Sequence, residues 1–315
     1  MRVLVTGAAG FVGRAVVRRL QLAGHQPVAL VHQRRTLVPA GAELVNGDVL
    51  NLESMRRAVD GVDAVCHLAA LTRGRESFTE PIRYFRVNLD GTLNLLDALA
   101  GQALTAPPRL VFASTCLVYG EPDQQPIAET TPTQPTSPYG ASKVAAEAAI
   151  AAQAGTGALA ATIIRTFNAA GAIDGITDED ETRIIPRTIA VAAGRADVLY
   201  VNGDGSVVRE YVHVDDLANA IVMAMEATAA GECRTYNVGS SCGTSLREVI
   251  AAVETITGDR LPVEHRPPAR EPHSLVSDSA KIRHELGWQP TRSDLDTIIQ
   301  DAWSAETDRR YASAA

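Results

Sequence analysis

The opening residues constrain the fold of this chain more than any other stretch. Arg2-Val3-Leu4-Val5 is an apolar run of strand length, Thr6-Gly7-Ala8-Ala9-Gly10-Phe11-Val12-Gly13 follows without a break, and an apolar helical pattern then continues to about Gly24. Strand, glycine loop and helix in that order bring backbone N–H groups and the positive end of a helix to one point, and glycines let a pyrophosphate approach them. A glycine triplet elsewhere would mark only a turn. Here Gly7, Gly10, Phe11, Val12 and Gly13 become candidate contacts for a dinucleotide.

Further strand-like runs recur at the spacing of alternating β and α units: Pro27 to Val31, Glu43-Leu44-Val45, Ala64 to Ala70 and Arg109 to Ser114, with helical patterns between them. Such alternation implies an α/β fold, a Rossmann-type doubly wound parallel sheet with helices on both faces, which binds ligands beyond the carboxyl ends of its strands. Asp48, His67 and Ser114-Thr115 fall at those ends, with Val49, Leu68, Ala69 and Ala70 beside them.

A carboxylate normally follows the second strand of such a sheet and accepts the ribose hydroxyls of NAD. The first acidic residue of this chain is Glu43, and the strand runs instead into His32-Gln33-Arg34-Arg35. Forked guanidinium donors suit the extra phosphate of NADP. NADP is therefore favoured over NAD, with a solvated basic turn as the alternative.

Tyr139 and Lys143 stand four residues apart in Ser137-Pro138-Tyr139-Gly140-Ala141-Ser142-Lys143. On a helix they share one face, so the ammonium is expected to favour the phenolate and bring Tyr139 down from its usual pKa of about 10. The pair then exchanges a proton with an alcohol as it becomes a ketone. Thr115 cannot ionise at working pH and is suited to orienting the reacting oxygen, while Asn88 is expected to support backbone. Alone, a tyrosine and a lysine at this spacing also occur on solvated helices.

Taken in order, Thr6 to Gly13, Gly47-Asp48-Val49, His67-Leu68-Ala69-Ala70, Asn88-Leu89-Asp90-Gly91-Thr92, Ser114 to Gly120, Tyr139 to Lys143, Arg165-Thr166-Phe167-Asn168 and Arg209 to Asp216 resemble the extended short-chain dehydrogenase/reductases that act on nucleotide sugars, the epimerase/dehydratase group. The resemblance covers nearly the full length. It implies that Asp48 bonds adenine, Thr115 the reacting sugar oxygen and Lys143 the nicotinamide ribose, that Tyr139 is the acid/base, and that Asn168 and Arg209 meet the diphosphate. It also implies a nucleotide-binding domain over residues 1–167 with a return segment near 208–230, and a substrate domain formed mainly by 168–315. A homodimer is expected through Val144 to Ala154 and Gly91 to Leu99. The family's arginine before the final Asp-x-x-Lys, here Asp278 to Lys281, is either Arg266 or Arg270.

Departures from the family narrow the reaction. Dehydratases carry Asp-Glu directly after the Ser/Thr, whereas this chain has Cys116 and Leu117, the first read as a packing cysteine. That argues against water elimination. A C4 epimerase and an NADPH-dependent 4-ketoreductase use the same residues; the plain Thr115 site favours the epimerase and the basic turn favours the reductase. A non-catalytic dinucleotide-binding sensor or scaffold is a third reading, opposed by the presence of Thr115, Tyr139 and Lys143 together.

Composition bounds the rest. A length of 315 residues suits about two domains. A net charge of −8 argues against nucleic acid, and the histidines show no metal-ligand spacing. Four cysteines without a paired framework fit a reducing cytoplasm. No apolar run approaches the roughly 18 residues of a membrane span, and the chain opens on a strand rather than a signal peptide. Gly171 to Ile185, centred on Asp178-Glu179-Asp180-Glu181, reads as a solvated acidic loop or a flap over the substrate, and Thr307 to Ala315 as a fraying tail. Arg183, Arg187, Arg209, Arg266 and Arg270 are the scattered cations available to a diphosphate.

Overall fold

The computed structural model describes residues 1–32, 37–102, 106–268 and 272–314. Among these, a seven-stranded parallel sheet forms the frame. Its strands β1 (Arg2–Thr6), β2 (Gln26–Val31), β3 (Glu43–Asn46), β4 (Ala64–His67), β5 (Arg109–Thr115) and β6 (Ala160–Thr166) are joined by Cys233–Val238, which pairs with β6 along its whole length. The order across the sheet is Cys233–Val238, β6, β5, β4, β1, β2, β3, so the chain winds outward from β1 in both directions. The crevice where that direction reverses lies at the carboxyl ends of β1 and β4, the position expected of a ligand site in such a sheet.

Parallel strands covered on both faces need apolar residues on both faces. In β1, Val3 and Val5 enter one core with Ala15, Val16 and Leu20 of α1 (Phe11–Leu22), while Leu4 enters the other. That second core also takes Met55 of α2 (Leu52–Ala58), Leu95 of α4 (Gly91–Ala100) and Ile150 of α5 (Pro138–Gly155). The short α3 (Pro81–Phe85) continues into α4 through a π-helical turn, Arg86–Asp90. Each such fully buried aliphatic side chain contributes about 1.5–3 kcal/mol relative to exposure.

Past Asn168, α6 (Ile184–Ala192) and the helices Leu246–Thr257 and Leu295–Ala314 surround a separate core that includes Ile185, Ile189, Val249, Val253, Ile298 and Ile299. The chain returns to the frame through α7 (Val214–Ala227), whose Leu217, Ala218 and Ile221 join the α1 core. The strand that completes the return is Cys233–Val238, beyond the 208–230 segment expected from sequence. Val208–His213 instead pairs with Asn168–Ala170, Gly243–Ser245 and Ser274–Leu275 outside the main sheet.

Two local expectations are corrected. Thr307 to Ala314 is the end of a continuous helix rather than a frayed tail. The acidic segment is not a solvated loop: it opens as a hairpin, Ala172–Ile173 with Ile176–Thr177, turning through Asp174 at φ 47°. Its carboxylates are then taken up by arginines, Asp178 by Arg183 at 2.8 Å, Asp180 by Arg73 at 3.0 Å and Glu181 by Arg187 at 3.6 Å. The Arg73 guanidinium, brought in from 107 positions away, is invisible to a local charge count.

Candidate active site

The glycine loop takes up the geometry its sequence requires. Gly7 has φ +70°, and a Cβ there would lie 2.8 Å from the Ala69 nitrogen; a Cβ on Gly13 would lie 2.1 Å from the Gly7 carbonyl oxygen. Both positions exclude any side chain. Gly10 leads into α1 with no side chain capping its first-turn N–H groups and no acidic residue in that turn. A bare positive helix end beside a glycine cradle fits the pyrophosphate of a nicotinamide dinucleotide. Phe11 is half-buried in the first turn, and Val12 reaches the neighbouring cavity.

That cavity, of about 720 Å³, opens at the carboxyl ends of the strands. Leu68 and Ala70 after β4, Thr115 at the end of β5, Tyr139 and Lys143 of α5, and Asn168 and Arg209 all line it. The structure therefore brings together the predicted acid/base, its orienting hydroxyl and the predicted diphosphate partners. Among the described residues no group of three or more His, Cys, Asp or Glu side chains is placed to hold a metal ion.

Tyr139 enters the site because Ser137 caps α5, its hydroxyl accepting from the Gly140 N–H at 3.1 Å, with Pro138 at the first helical position. The phenol is buried and hydrogen-bonded by Thr115, and the Tyr84 ring meets the Tyr139 ring edge-on at 6.2 Å. Burial pushes the phenol up to about 12, with the Thr115 hydrogen bond acting in the other direction. Lys143 does not bring the phenol below its ordinary value as expected. Its ammonium donates to the Ala113 carbonyl at 2.8 Å and lies 4.5 Å above the Phe112 ring, and burial brings its own pKa down to about 7 against the opposing Glu147. Helical spacing places both groups on one face, but burial of each outweighs their mutual influence.

Asn88 and His67 form the wall behind the site. Asn88 accepts from the Leu71 N–H at 2.8 Å and donates to Leu71 O and the Ser142 hydroxyl, which in turn donates to Tyr139 O. It braces backbone, as expected, and its side chain is fully engaged. His67 bridges Thr6 at 2.7 Å and Thr92 at 3.1 Å, and burial together with Lys143 drives its pKa down to about 3, so it is a neutral strut.

At the far end of the cofactor cradle, Asp48 accepts from the Leu50 N–H at 2.9 Å and keeps an exposed carboxylate 4.0 Å from His32, while Val49 is buried. The predicted Arg34, Arg35 and Arg270 lie outside the described residues. Arg266 is corrected as a site residue: its guanidinium stacks 3.4 Å over the Tyr200 ring and it takes no part in the cavity lining. Asn168 donates to Glu210 O at 2.8 Å and Arg209 to Val208 O at 2.7 Å, and Arg209 also bears on Cys116, whose thiol burial pushes up to about 12 and keeps neutral.

Sequence reasoning passed over Thr72, Gly74, Arg75 and Phe78, which carry the cavity wall beyond β4. A loop that follows a strand end in this sheet is the signal that would have found them. It also left Arg183 among many cations, whereas the fold brings it to the cavity.

A family model described as the NAD dependent epimerase/dehydratase family matches residues 3–239. A UDP-glucose 4-epimerase of Corynebacterium glutamicum is 40% identical over 328 residues, covering 99% of this chain and 98% of the relative. That of Streptomyces lividans is 40% identical over 314 residues, covering 95% and 94%. Among solved structures, a UDP-glucose-4-epimerase of Stenotrophomonas maltophila, with bound NAD and formylated UDP-arabinopyranose, superposes with a TM-score of 0.91 at 32% identity and covers 100% of both chains.

Proposed function

Because the chain belongs to the NAD dependent epimerase/dehydratase family, we propose that it interconverts the C4 epimers of a UDP-hexose. It is an epimerase, oxidising the sugar transiently to a 4-keto form and restoring the hydroxyl on the other face. The observation that carries this reading is the pairing of Tyr139 with Thr115 in one cavity, followed by Cys116 and Leu117 rather than by two carboxyl groups. One acid/base suffices for oxidation and return; elimination of water would need more.

A bound nicotinamide dinucleotide would supply the reversible two-electron oxidation at C4. Gly7, Gly10 and Gly13 would hold its pyrophosphate at the start of α1, Asp48 its adenosine end and Lys143 its nicotinamide ribose. Tyr139 removes the C4 hydroxyl proton on oxidation and gives it back on reduction, while Thr115 aligns that oxygen. Asn168 and Arg209 hold the nucleotide diphosphate, and the cavity volume leaves the sugar ring room to turn.

NAD is our choice of cofactor. An epimerase regenerates its dinucleotide in every cycle and draws nothing from a reductant pool, and the solved relative named above holds NAD. The NADP preference rested on Arg34 and Arg35 and on the missing carboxylate after β2, and the NAD held by that relative does not support it. A homodimer through the outer sides of α4 and α5 is part of the same proposal, with Leu93 of α4 at 44% exposure available for such a contact. The unpaired cysteines are in keeping with a reducing cytoplasm.

The test is conversion of UDP-galactose with catalytic NAD, followed by resolved NMR signals of the two epimers. Conversion without accumulation of reduced nicotinamide is expected, and Tyr139→Phe should slow it by roughly 2 to 4 decades with cofactor binding retained. Stoichiometric consumption of NADPH by a 4-keto-6-deoxy nucleotide sugar, with UDP-galactose left untouched, would replace this reading by the ketoreductase.

A further inference from the structure

Glu210 is a fully buried residue of the strand Val208–His213, next in the chain to Arg209 but behind the cavity that Arg209 lines. Its carboxylate accepts from three neutral donors: the Ser241 N–H at 2.6 Å, the Ser277 hydroxyl at 2.8 Å and the Ser277 N–H. The first belongs to the loop that follows Cys233–Val238, the edge strand of the main sheet, and the other two to the segment that follows Ser274–Leu275. Ser241 stands there at φ 63°, a backbone conformation that a serine keeps only where its surroundings impose it. Gly239 leaves the room for this arrangement, since a Cβ on it would lie 2.6 Å from the Glu210 carboxyl carbon. A buried carboxylate is costly to leave without its donors, so the three bonds fix the strand on which Glu210 stands.

That strand carries one side of the cavity. The Glu210 carbonyl accepts from the Asn168 amide at 2.8 Å, and Leu275, just ahead of the anchored Ser277, pairs in register with Arg209. Asn168, Arg209 and Leu275 all line the cavity. We propose that Glu210 is a positioning residue for substrate binding: its carboxylate locks the strand Val208–His213 to the loop 239–241 and to Ser277, and so holds Asn168 and Arg209 at the spacing a nucleotide diphosphate requires. The proposal rests on the reading of Asn168 and Arg209 as the diphosphate partners. Because the loop 239–241 continues an edge strand of the main sheet, the same anchor sets these two residues against the frame that carries Thr115.

Calorimetric titration of the NAD-loaded protein with UDP reads the diphosphate end without turnover. Glu210→Gln keeps the side-chain volume but turns one acceptor oxygen into a donor facing other donors, and UDP affinity should fall about tenfold, since a shift of about 1 Å in a binding group is enough for such a loss. In the same variant NAD affinity should stay within about twofold, and with UDP-galactose KM should rise about tenfold while kcat changes by less than about threefold. Arg209→Gln should also weaken UDP. Because Glu210 acts through Arg209 and Asn168, Arg209→Gln combined with Glu210→Gln should lose less than the product of the two single losses. A residue that served stability alone would move the unfolding midpoint and none of these ratios. Ser277→Ala removes a single donor and decides the point if Glu210→Gln does not fold, with an expected loss of about threefold in UDP affinity. Weaker UDP binding in Arg209→Gln beside unchanged binding in Glu210→Gln, or in Ser277→Ala where that variant decides, overturns the proposal, as does a double-variant loss equal to the product. Unchanged UDP binding in both Arg209→Gln and Asn168→Ala overturns the diphosphate reading, and the proposal with it.

Discussion

Glu147 and Arg165 form a buried ion pair between α5 and β6, with the Arg165 Nη2 to Glu147 Oε2 distance at 2.7 Å. Glu147 lies one helical turn beyond Lys143 and also accepts from the Ser114 hydroxyl. Arg165 goes on to donate to the Tyr119 hydroxyl at 3.0 Å, which donates to Asn237 at 2.7 Å. The network therefore stitches α5 to β5, β6 and the returning strand Cys233–Val238, the frame on which Thr115 and Lys143 are held. Removing one charge leaves the other buried and uncompensated, which typically costs about 3–5 kcal/mol. Glu147→Gln should lose stability on that scale in denaturant unfolding; a loss below about 1 kcal/mol would mean that the surroundings relax around the lone guanidinium.

Lys143 gives stability a pH dependence whose sign can be worked out. Its ordinary value is 10.5 and burial lowers it to about 7 in the folded state. Between those values the unfolded chain binds the proton more readily than the folded one, so stability rises with pH across that window and is lost as pH falls towards 7. Lys143→Met should flatten this rise. Melting temperatures of the two proteins from pH 7 to 10 provide the check, and parallel curves would show that Lys143 keeps its proton when folded. Tyr139, raised to about 12, contributes with the opposite sign only above its ordinary value of 10.

How much of this was legible beforehand follows from how local each signal is. The glycine loop, the strand ends at His67 and Thr115, and the Tyr139 to Lys143 face are set by contiguous residues, and all appear where sequence placed them. The electrostatics of the site were not legible. Helical spacing brings Lys143 beside Tyr139, but the Ala113 carbonyl that captures its ammonium comes from β5, thirty residues away in sequence. The same limit hid the pairing of Asp180 with Arg73, separated by 107 positions, and so turned a tied cavity wall into an apparent solvated run. Long-range partners decide whether a charge is free, and a single chain read in order does not name them.

Gly13 offers a test of the cradle apart from turnover. A methyl group there would sit 2.1 Å from Gly7 O and 2.9 Å from the Ala8 Cα, both parts of the loop backbone rather than flexible side-chain ends. Gly13→Ala must therefore push the loop off α1. We expect NAD affinity to fall at least about tenfold, equivalent to about 1.4 kcal/mol, as read by calorimetric titration. Gly157→Ala is a fitting comparison: at φ +79° it carries backbone strain, but its added Cβ meets nothing within 4 Å. It should lower stability slightly and leave NAD affinity unchanged. Equal losses of affinity in the two variants would show that the effect is not local to the cradle.

The fate of the C4 hydrogen separates epimerisation from other ways of inverting a carbinol. Inversion by deprotonating C4 next to a ketone at a neighbouring carbon would carry that position through exchange with water, whereas oxidation at C4 and return by a bound cofactor would keep the hydrogen within the protein. In the proposed reaction Tyr139 handles the hydroxyl proton, which exchanges freely, and Thr115 has no ionisation with which to remove a carbon-bound one. Cys116 is buried with its thiol pushed up to about 12, so it is not a base for that step either. A UDP-hexose deuterated at C4 should therefore appear as its epimer with the label still at C4, and unlabelled substrate turned over in D2O should gain none there. Mass and NMR analysis of the product reads both outcomes. Washout of the label, with matching uptake from D2O, would require a carbon-acid base that the cavity does not provide, and would show that Tyr139 and Thr115 have been given the wrong reaction.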